Sequence, residues 1–335
     1  MKKRFLAAMM AAVMVFASAS VAMAADDTLV ESGKDYGLPY AATEISDGRT
    51  IGVSVQTHTN AFFLAEIEGF KETFAQGGVE VEVLSPDPAG DINQQVEDVL
   101  AFCARGVDAI FIDSLDSDGI KPALEEAKRA DIPVIAIDST VTDVDLIVTT
   151  IESDNVAMGR DAGTTLCEAI GGEGEIVVIH WSTLQCVRER VEGLEQVIAE
   201  SYPDVEIVAV QDAFGVVEDA QSIMESFLQT YPDVKGVFAI NSPTAQGAIA
   251  ALKAADKMDE VKVVDIDGAQ NDIDMIKEGV LLCSPVQFPK SIANKAVECI
   301  EKVWDGRADE VESHIYIVGD NITADNVAEY DGQTY

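Results

Sequence analysis

The sequence predicts an α/β protein built as two similar lobes, each a doubly wound parallel sheet, joined by a hinge. Short β-rich runs alternate with helix-length stretches from Thr50 onward, and beyond residue 150 the same alternation starts again. Strands separated by helices cannot pair as tight hairpins, so they align parallel with helices over both faces. A length of 335 residues and an apolar fraction of 48% are enough to fill two cores of ordinary size.

The first array reads "TIGVSV", "VEVEVL", "DAIFI" and "IPVIAI" as strands, with helices over 61–76, 91–105 and 117–130 between them. A short strand, "LIVTT" (146–150), leads to a helix that Ser153 or Asp154 caps. The second array reads "EIVVI", "VEIVAV", "VKGVFAI", "VKVVDI" and "VLLCSP", with helices near 187–200, 216–230, 243–255 and 270–278. A last helix (about 289–304) and the strand "HIYIV" (314–318) follow. The expected division is a first lobe of 49–152 plus 288–313 and a second of 153–287 plus 314–335. Residues 25–48 show no clear period and hold Gly, Pro and Asp, so they read as an irregular extension.

The start of the chain has a different character. Lys2, Lys3 and Arg4 precede the apolar run "FLAAMMAAVMVF", and small residues lead to Ala22-Met23-Ala24. This is the layout of a signal peptide over 1–24, cleaved before Ala25. The expected address is the periplasm of a Gram-negative bacterium. No cysteine lies near the cleavage site, since Cys103 is the first. Removing three basic residues leaves 19 Lys and Arg against 60 Asp and Glu, a net of −41. Such a charge repels phosphate backbones and anionic lipid, so nucleic acid is not an expected partner. The five cysteines form no C-x-x-C pair, and an odd number leaves at least one without an intramolecular partner.

Signatures of chemistry are scarce. No Walker loop, G-x-S-x-G elbow, H-E-x-x-H or G-x-G-x-x-G opens any helix, and three scattered histidines make no metal site. The sequence points to a binding protein rather than an enzyme, with no cofactor. In open parallel sheets ligands sit beyond the carboxyl ends of the strands. Residues there are Asn60, Asp113, Asp138, His180, Trp181, Asn241, Asp267 and Gln287. Carboxylates, amides and a guanidinium suit a polyhydroxylated ligand, whose hydroxyls both donate and accept. Phe62 and Phe63 are adjacent, about 100° apart on a helix, so they cannot both occupy the centre of one buried stripe. Phe214 lies in a loop after a strand. Arg188 and Arg190 point to different faces of one helix, so at most one faces a cleft.

From about residue 50 to 330 the chain resembles the periplasmic sugar-binding proteins of ATP-driven transporters, of the ribose- and galactose-binding type. "NAFF", "GVDAIFIDSLDSDGI", "IPVIAID", "SDNVAMGRDAG", "RERVEG", "YPDVKGVFAIN", "VVDIDG" and "SPVQFP" occur in that family's order and near its spacing. The resemblance implies the type I periplasmic binding protein fold. It carries the ligand positions onto Asn60, Phe62, Phe63, Asp138, Arg188, Phe214, Asn241, Asp267 and Gln287. Departures fall at Asp113, where the ribose type has asparagine, at Ser139, where it has arginine, and at Ile266, where it has an aromatic residue. Asp113 and Ser139 are retained as ligand positions, with an altered hydrogen-bond pattern that argues against ribose itself. The implied partners are a sugar or polyol, the membrane permease of an ABC transporter and a chemoreceptor, with the protein acting as a monomer. A signalling furanone or a nucleoside on the same fold is the alternative ligand class.

Overall fold

Four consecutive residues, Ala109 to Ile112, are fully buried, which only a strand covered on both faces allows. Phe111 joins a core with Phe70, Ile135 and Val297, while Ile110 and Ile112 join another with Phe102 and Leu124. The period-2 alternation thus splits one strand between two hydrophobic layers. The computed structural model describes residues 28–36, 40–75, 78–86 and 90–335; the expected signal peptide lies outside them.

In chain order the first lobe comprises β1 (Thr28–Ser32), β2 (Thr50–Ser54), α1 (Ala61–Phe74), β3 (Glu80–Leu84), α2 (Ile92–Arg105), β4 (Ala109–Ile112), α3 (Lys121–Arg129), β5 (Val134–Ile137) and β6 (Thr150–Glu152). The second comprises α4 (Asn155–Ala169), β7 (Glu173–His180), α5 (Gln185–Ser201), β8 (Asp204–Asp212), α6 (Val217–Thr230), β9 (Gly236–Ala239), α7 (Ser242–Ala254), β10 (Lys262–Val264), α8 (Gln270–Glu278) and β11 (Cys283–Pro285). The chain then returns through α9 (Pro289–Trp304) and β12 (His314–Val318) and ends beyond β13 (Asn321–Thr323).

The first sheet runs β3-β2-β4-β5-β6-β12-β1 and the second β8-β7-β9-β10, all strands parallel. Strand order reverses between β2 and β4 in one sheet and between β7 and β9 in the other. At those points loops from neighbouring strands diverge, leaving a crevice at the strands' carboxyl ends.

Two expectations need correction. Residues 314–318 were expected in the second lobe, but β12 pairs with β6 and β1 in the first sheet. The reason is α9, which packs against α1 on the first lobe so closely that a Cβ at Gly69 would lie 2.9 Å from that of Ala293. The strand that follows α9 therefore emerges beside β6, buries Ile315 and Ile317, and only afterwards crosses over. The extension 25–48 is also less irregular than expected. Its residues Thr28–Ser32 form the edge strand, held where buried Lys295 meets Glu31 at 2.9 Å. Buried Glu301 collects Thr43 N (2.7 Å), Ser46 Oγ (2.6 Å) and Tyr40 Oη (2.9 Å), tying residues 40–46 to α9.

The chain passes between the sheets near residues 153–154, 286–288 and 319–320. The crossings are bonded to one another: Ser153 Oγ donates to Gln287 Oε1 at 3.0 Å, and Val286 N to Asp320 O at 3.0 Å. Strand β11 pairs antiparallel with β13 beside them. At Gly319 a Cβ would sit 2.6 Å from the Val286 carbonyl oxygen, so the close approach requires glycine.

Candidate functional site

The crevices of the two sheets face each other across a cleft of about 680 Å³. Its lips touch where Thr183 Oγ1 donates to the Leu115 carbonyl at 3.2 Å, a bond from one lobe to the other.

Asn60 is the N-cap of α1, its Oδ1 accepting from Phe62 N at 2.9 Å. Asn241 caps α7 in the same way, accepting from Thr244 N at 3.1 Å. Capping consumes each carbonyl oxygen and leaves each amide NH2 as a donor at the cleft wall, which both residues line. The two helix N-termini add their own positive ends.

Phe62 and Phe63 both line the cleft and both belong to the first-lobe core. Their rings meet edge to face at 5.3 Å. At the first turn of α1 the cleft lies over the end of the helix rather than along one side, so neighbours 100° apart can both reach it. Phe214 closes the opposite side, half exposed and edge-on to Trp181 at 6.2 Å.

Asp138, Phe214 and Asp267 share an unusual property. Their φ angles are +55°, +52° and +153°, values that non-glycine residues rarely adopt. Three strained residues on one cleft mark a site where geometry is held against local preference. Asp267 is held most tightly: Ser242 N donates to Oδ2 (3.0 Å), Gln287 Nε2 to Oδ1 (2.8 Å), and the Arg190 guanidinium stands 3.7 Å from Oδ1. Gln287 thus spends its amide on Asp267 and its carbonyl on Ser153, linking the site to the crossings.

Arg188 was expected as a ligand position, but it is Arg190 that lines the cleft. Arg188 bonds the Ser182 carbonyl (2.8 Å) and Gln185 Oε1 (2.5 Å) on the outer side of α5. Arg190 is buried, with Nε on Asn155 Oδ1 (2.9 Å) and Nη1 on the Ile240 carbonyl (2.7 Å). Cys186, Val187 and Arg190 share the cleft face at i, i+1 and i+4. That spacing was a usable signal, because Cys186 and Val187 are the apolar residues at the helix start.

Two further expected positions do not line the cleft. Asp113 is fully buried behind it, its Oδ1 accepting from Gln56 Nε2 at 2.7 Å, so Gln56 occupies the wall in its place. Ser139 is buried beside Cys186. Asn60, Phe62, Phe63, Asp138, Phe214, Asn241, Asp267 and Gln287 do converge. Asp116, Thr183, Glu218 and Asp219 join the lining without having been singled out.

Burial dominates the electrostatics. It lifts Asp138 to about 7 against the pull of Arg190, and raises Asp267 although Arg190, Ser242 N–H and Gln287 all favour its charged form. The five cysteines are unpaired, and burial pushes the thiols of Cys283 and Cys299 up to about 12.

Residues 51–308 match the family described as the periplasmic binding protein domain. The chain belongs to that family. Its members bind solutes without transforming them, and the two-lobed fold described above is theirs. The ribose import binding protein of Salmonella typhimurium is 32% identical over 77% of this chain and 85% of its own length. The D-apiose import binding protein of Paraburkholderia graminis is 33% identical over 75% of this chain and 80% of its own. Among solved structures, an ABC transporter solute binding protein from Agrobacterium vitis with bound D-fucose superposes with a TM-score of 0.80 at 26% identity, covering 85% of this chain and 100% of that one.

Proposed function

We propose that this periplasmic binding protein captures a monosaccharide or polyol between its lobes and delivers it to the membrane permease of an ABC transporter. The observation that carries the reading is the pairing of flat aromatic faces with edge donors and acceptors across one cleft. Phe62, Phe63, Phe214 and Trp181 cover the C–H faces of a ring, while Asn60, Asn241, Asp138, Asp267 and Arg190 take hydroxyls around its edge. Ribose and D-apiose, for which two relatives are named, and the D-fucose bound in the Agrobacterium vitis structure belong to that chemical class.

Closure does the work. A ligand bonded to both lobes favours the closed arrangement by its differential affinity, and the closed arrangement is what a permease or a chemoreceptor distinguishes from the empty protein. The protein acts as a monomer in the periplasm after removal of residues 1–24. A thermal-shift screen of the purified protein against pentoses, hexoses, polyols, inositols, nucleosides and furanones tests this. A true ligand at a hundred times its dissociation constant stabilises by about 2.7 kcal/mol, a rise of a few degrees. A response confined to nucleosides or furanones would overturn the ligand class.

A further inference from the structure

The cleft's charges are unevenly placed. Among the described residues its lining carries Asp116, Asp138, Glu218, Asp219 and Asp267 against one cation, Arg190. That cation is committed to the second lobe, through Asn155, the Ile240 carbonyl and Asp267. On the first-lobe wall Gln56 Oε1, Asp138 Oδ1, Asp113 Oδ2 and both oxygens of Glu66 are buried with no hydrogen-bond partner among the described residues. The Gln56 amide nitrogen is already given to Asp113, so these unpartnered buried atoms around Gln56 and Asp138 are all acceptors.

Glu66 sharpens the point. It is fully buried at i+3 and i+4 from Phe63 and Phe62 on α1, where the helix otherwise presents an apolar face to the core. A buried carboxyl without a partner costs several kcal/mol and needs a compensating role. Glu66, Asp113 and Asp138 lie close enough to oppose one another's ionisation, and burial drives Glu66 and Asp113 well above the ordinary carboxylate range. Among the described residues no cluster of His, Cys, Asp or Glu has the makings of a metal site, so a bound ion does not resolve the corner.

We propose that this wall receives the ammonium group of an amine-bearing sugar or polyol, seated on Gln56 and Asp138 with Asp113 and Glu66 behind them. The inference rests on the solute-binding reading above and narrows its ligand. A hydroxyl brings one donor to this wall. An ammonium brings three, and a charge that the second lobe's arginine does not supply. Burial raises all three carboxyls of this corner, so seating a cation there favours their charged forms and is expected to release protons. Arg190 and Asp267 face Asp138 from the second lobe, and Cys186 adjoins from α5.

The test is calorimetry at pH 7 with matched pairs: D-glucosamine and D-glucose, D-galactosamine and D-galactose, D-mannosamine and D-mannose, glucamine and sorbitol. Each titration is run in two buffers of different ionisation enthalpy, so that proton release is read directly. The expected result is at least one amine binding tenfold or more tighter than its hydroxyl counterpart, with net release of protons. Glu66→Gln and Asp113→Asn, each checked for folding by its unliganded melting curve, bring that ratio toward one. Neutral members binding as tightly as the amines, without proton release, overturn the ammonium assignment and leave the solute-binding reading standing. A preference that survives both substitutions places the ammonium elsewhere and overturns it too. Silence from all four amines overturns the ammonium assignment and leaves the solute-binding reading, which the wider screen of pentoses, polyols and inositols tests, standing.

Discussion

At the residue scale, the cleft's polar chemistry concentrates in a few side chains whose neighbours decide what they can do. Arg190 is buried against Asp267, whereas Arg188 lies on the outer side of the same helix. Arg190→Ala leaves Asp267 without its counter-charge, and affinity for the ligand should fall by at least about tenfold, with a loss of stability of about 3–5 kcal/mol. Arg188→Ala should leave affinity within about threefold; calorimetry on the two variants separates them. Asp138 gives a pH signature. Its folded pKa of about 7 lies above the ordinary 3.8, so the native state binds this proton more tightly than the unfolded chain does. The resulting stability is fully present below pH 4 and is lost as pH rises through about 7, a swing of about 4 kcal/mol. Asp138→Asn, which tolerates the same positive φ, should flatten that slope and raise the melting temperature of the unliganded protein at pH 8. An unchanged slope would show that another carboxyl carries the proton.

At the element scale, α5 is placed by glycines on both sides of its contact with α4. A Cβ at Gly159 would fall 2.0 Å from the Arg190 carbonyl oxygen, and one at Gly193 would fall 2.2 Å from that of Val156. Gly159→Ala must therefore push α5 away from α4 and carry Arg190 with it. The expected cost is about 1–3 kcal/mol of stability, with a drop in affinity although the substitution touches no ligand. Measuring both distinguishes displacement of the helix from simple loss of fold. Elements were legible in the sequence because buried parallel strands such as "DAIFI" are continuous apolar runs between helices. What could not be read was membership: β12 has the alternation of any half-buried strand, and only the packing of α9 on α1 decides which sheet it joins. β1, five residues long at an edge, carries too little pattern to announce itself. The cleft lining was legible wherever a residue directly follows a strand or caps a helix, as with Asn60, Asn241 and Asp267. It was not legible at Asp113, because the strand-end rule says nothing about Gln56 reaching across to hold it behind the wall.

At the scale of the molecule, binding and shape are one equilibrium. Observed affinity is the closed-state affinity multiplied by the fraction of protein that is closed, so a bond made only on closure raises affinity without touching the ligand's own contacts. The Thr183 hydroxyl bonds from one lobe to the other, so it is expected to be such a group. It accepts from Trp181 Nε1 at 3.0 Å and donates across the cleft to the Leu115 carbonyl at 3.2 Å, so it joins an aromatic wall of one lobe to the lip of the other. The crossings near Ser153, Gln287 and Asp320 are bonded to one another, whereas the lip bond joins the two lobes directly and would be lost if they separated. Thr183→Ala should weaken ligand binding by about 0.5–1.5 kcal/mol, chiefly through faster release. Small-angle scattering should show the variant more expanded than the parent when empty and equally compact when saturated. Equal compactness of the empty proteins, with affinity unchanged, would mean that the lip bond forms after the lobes have already been brought together by the ligand and contributes nothing to the choice between open and closed.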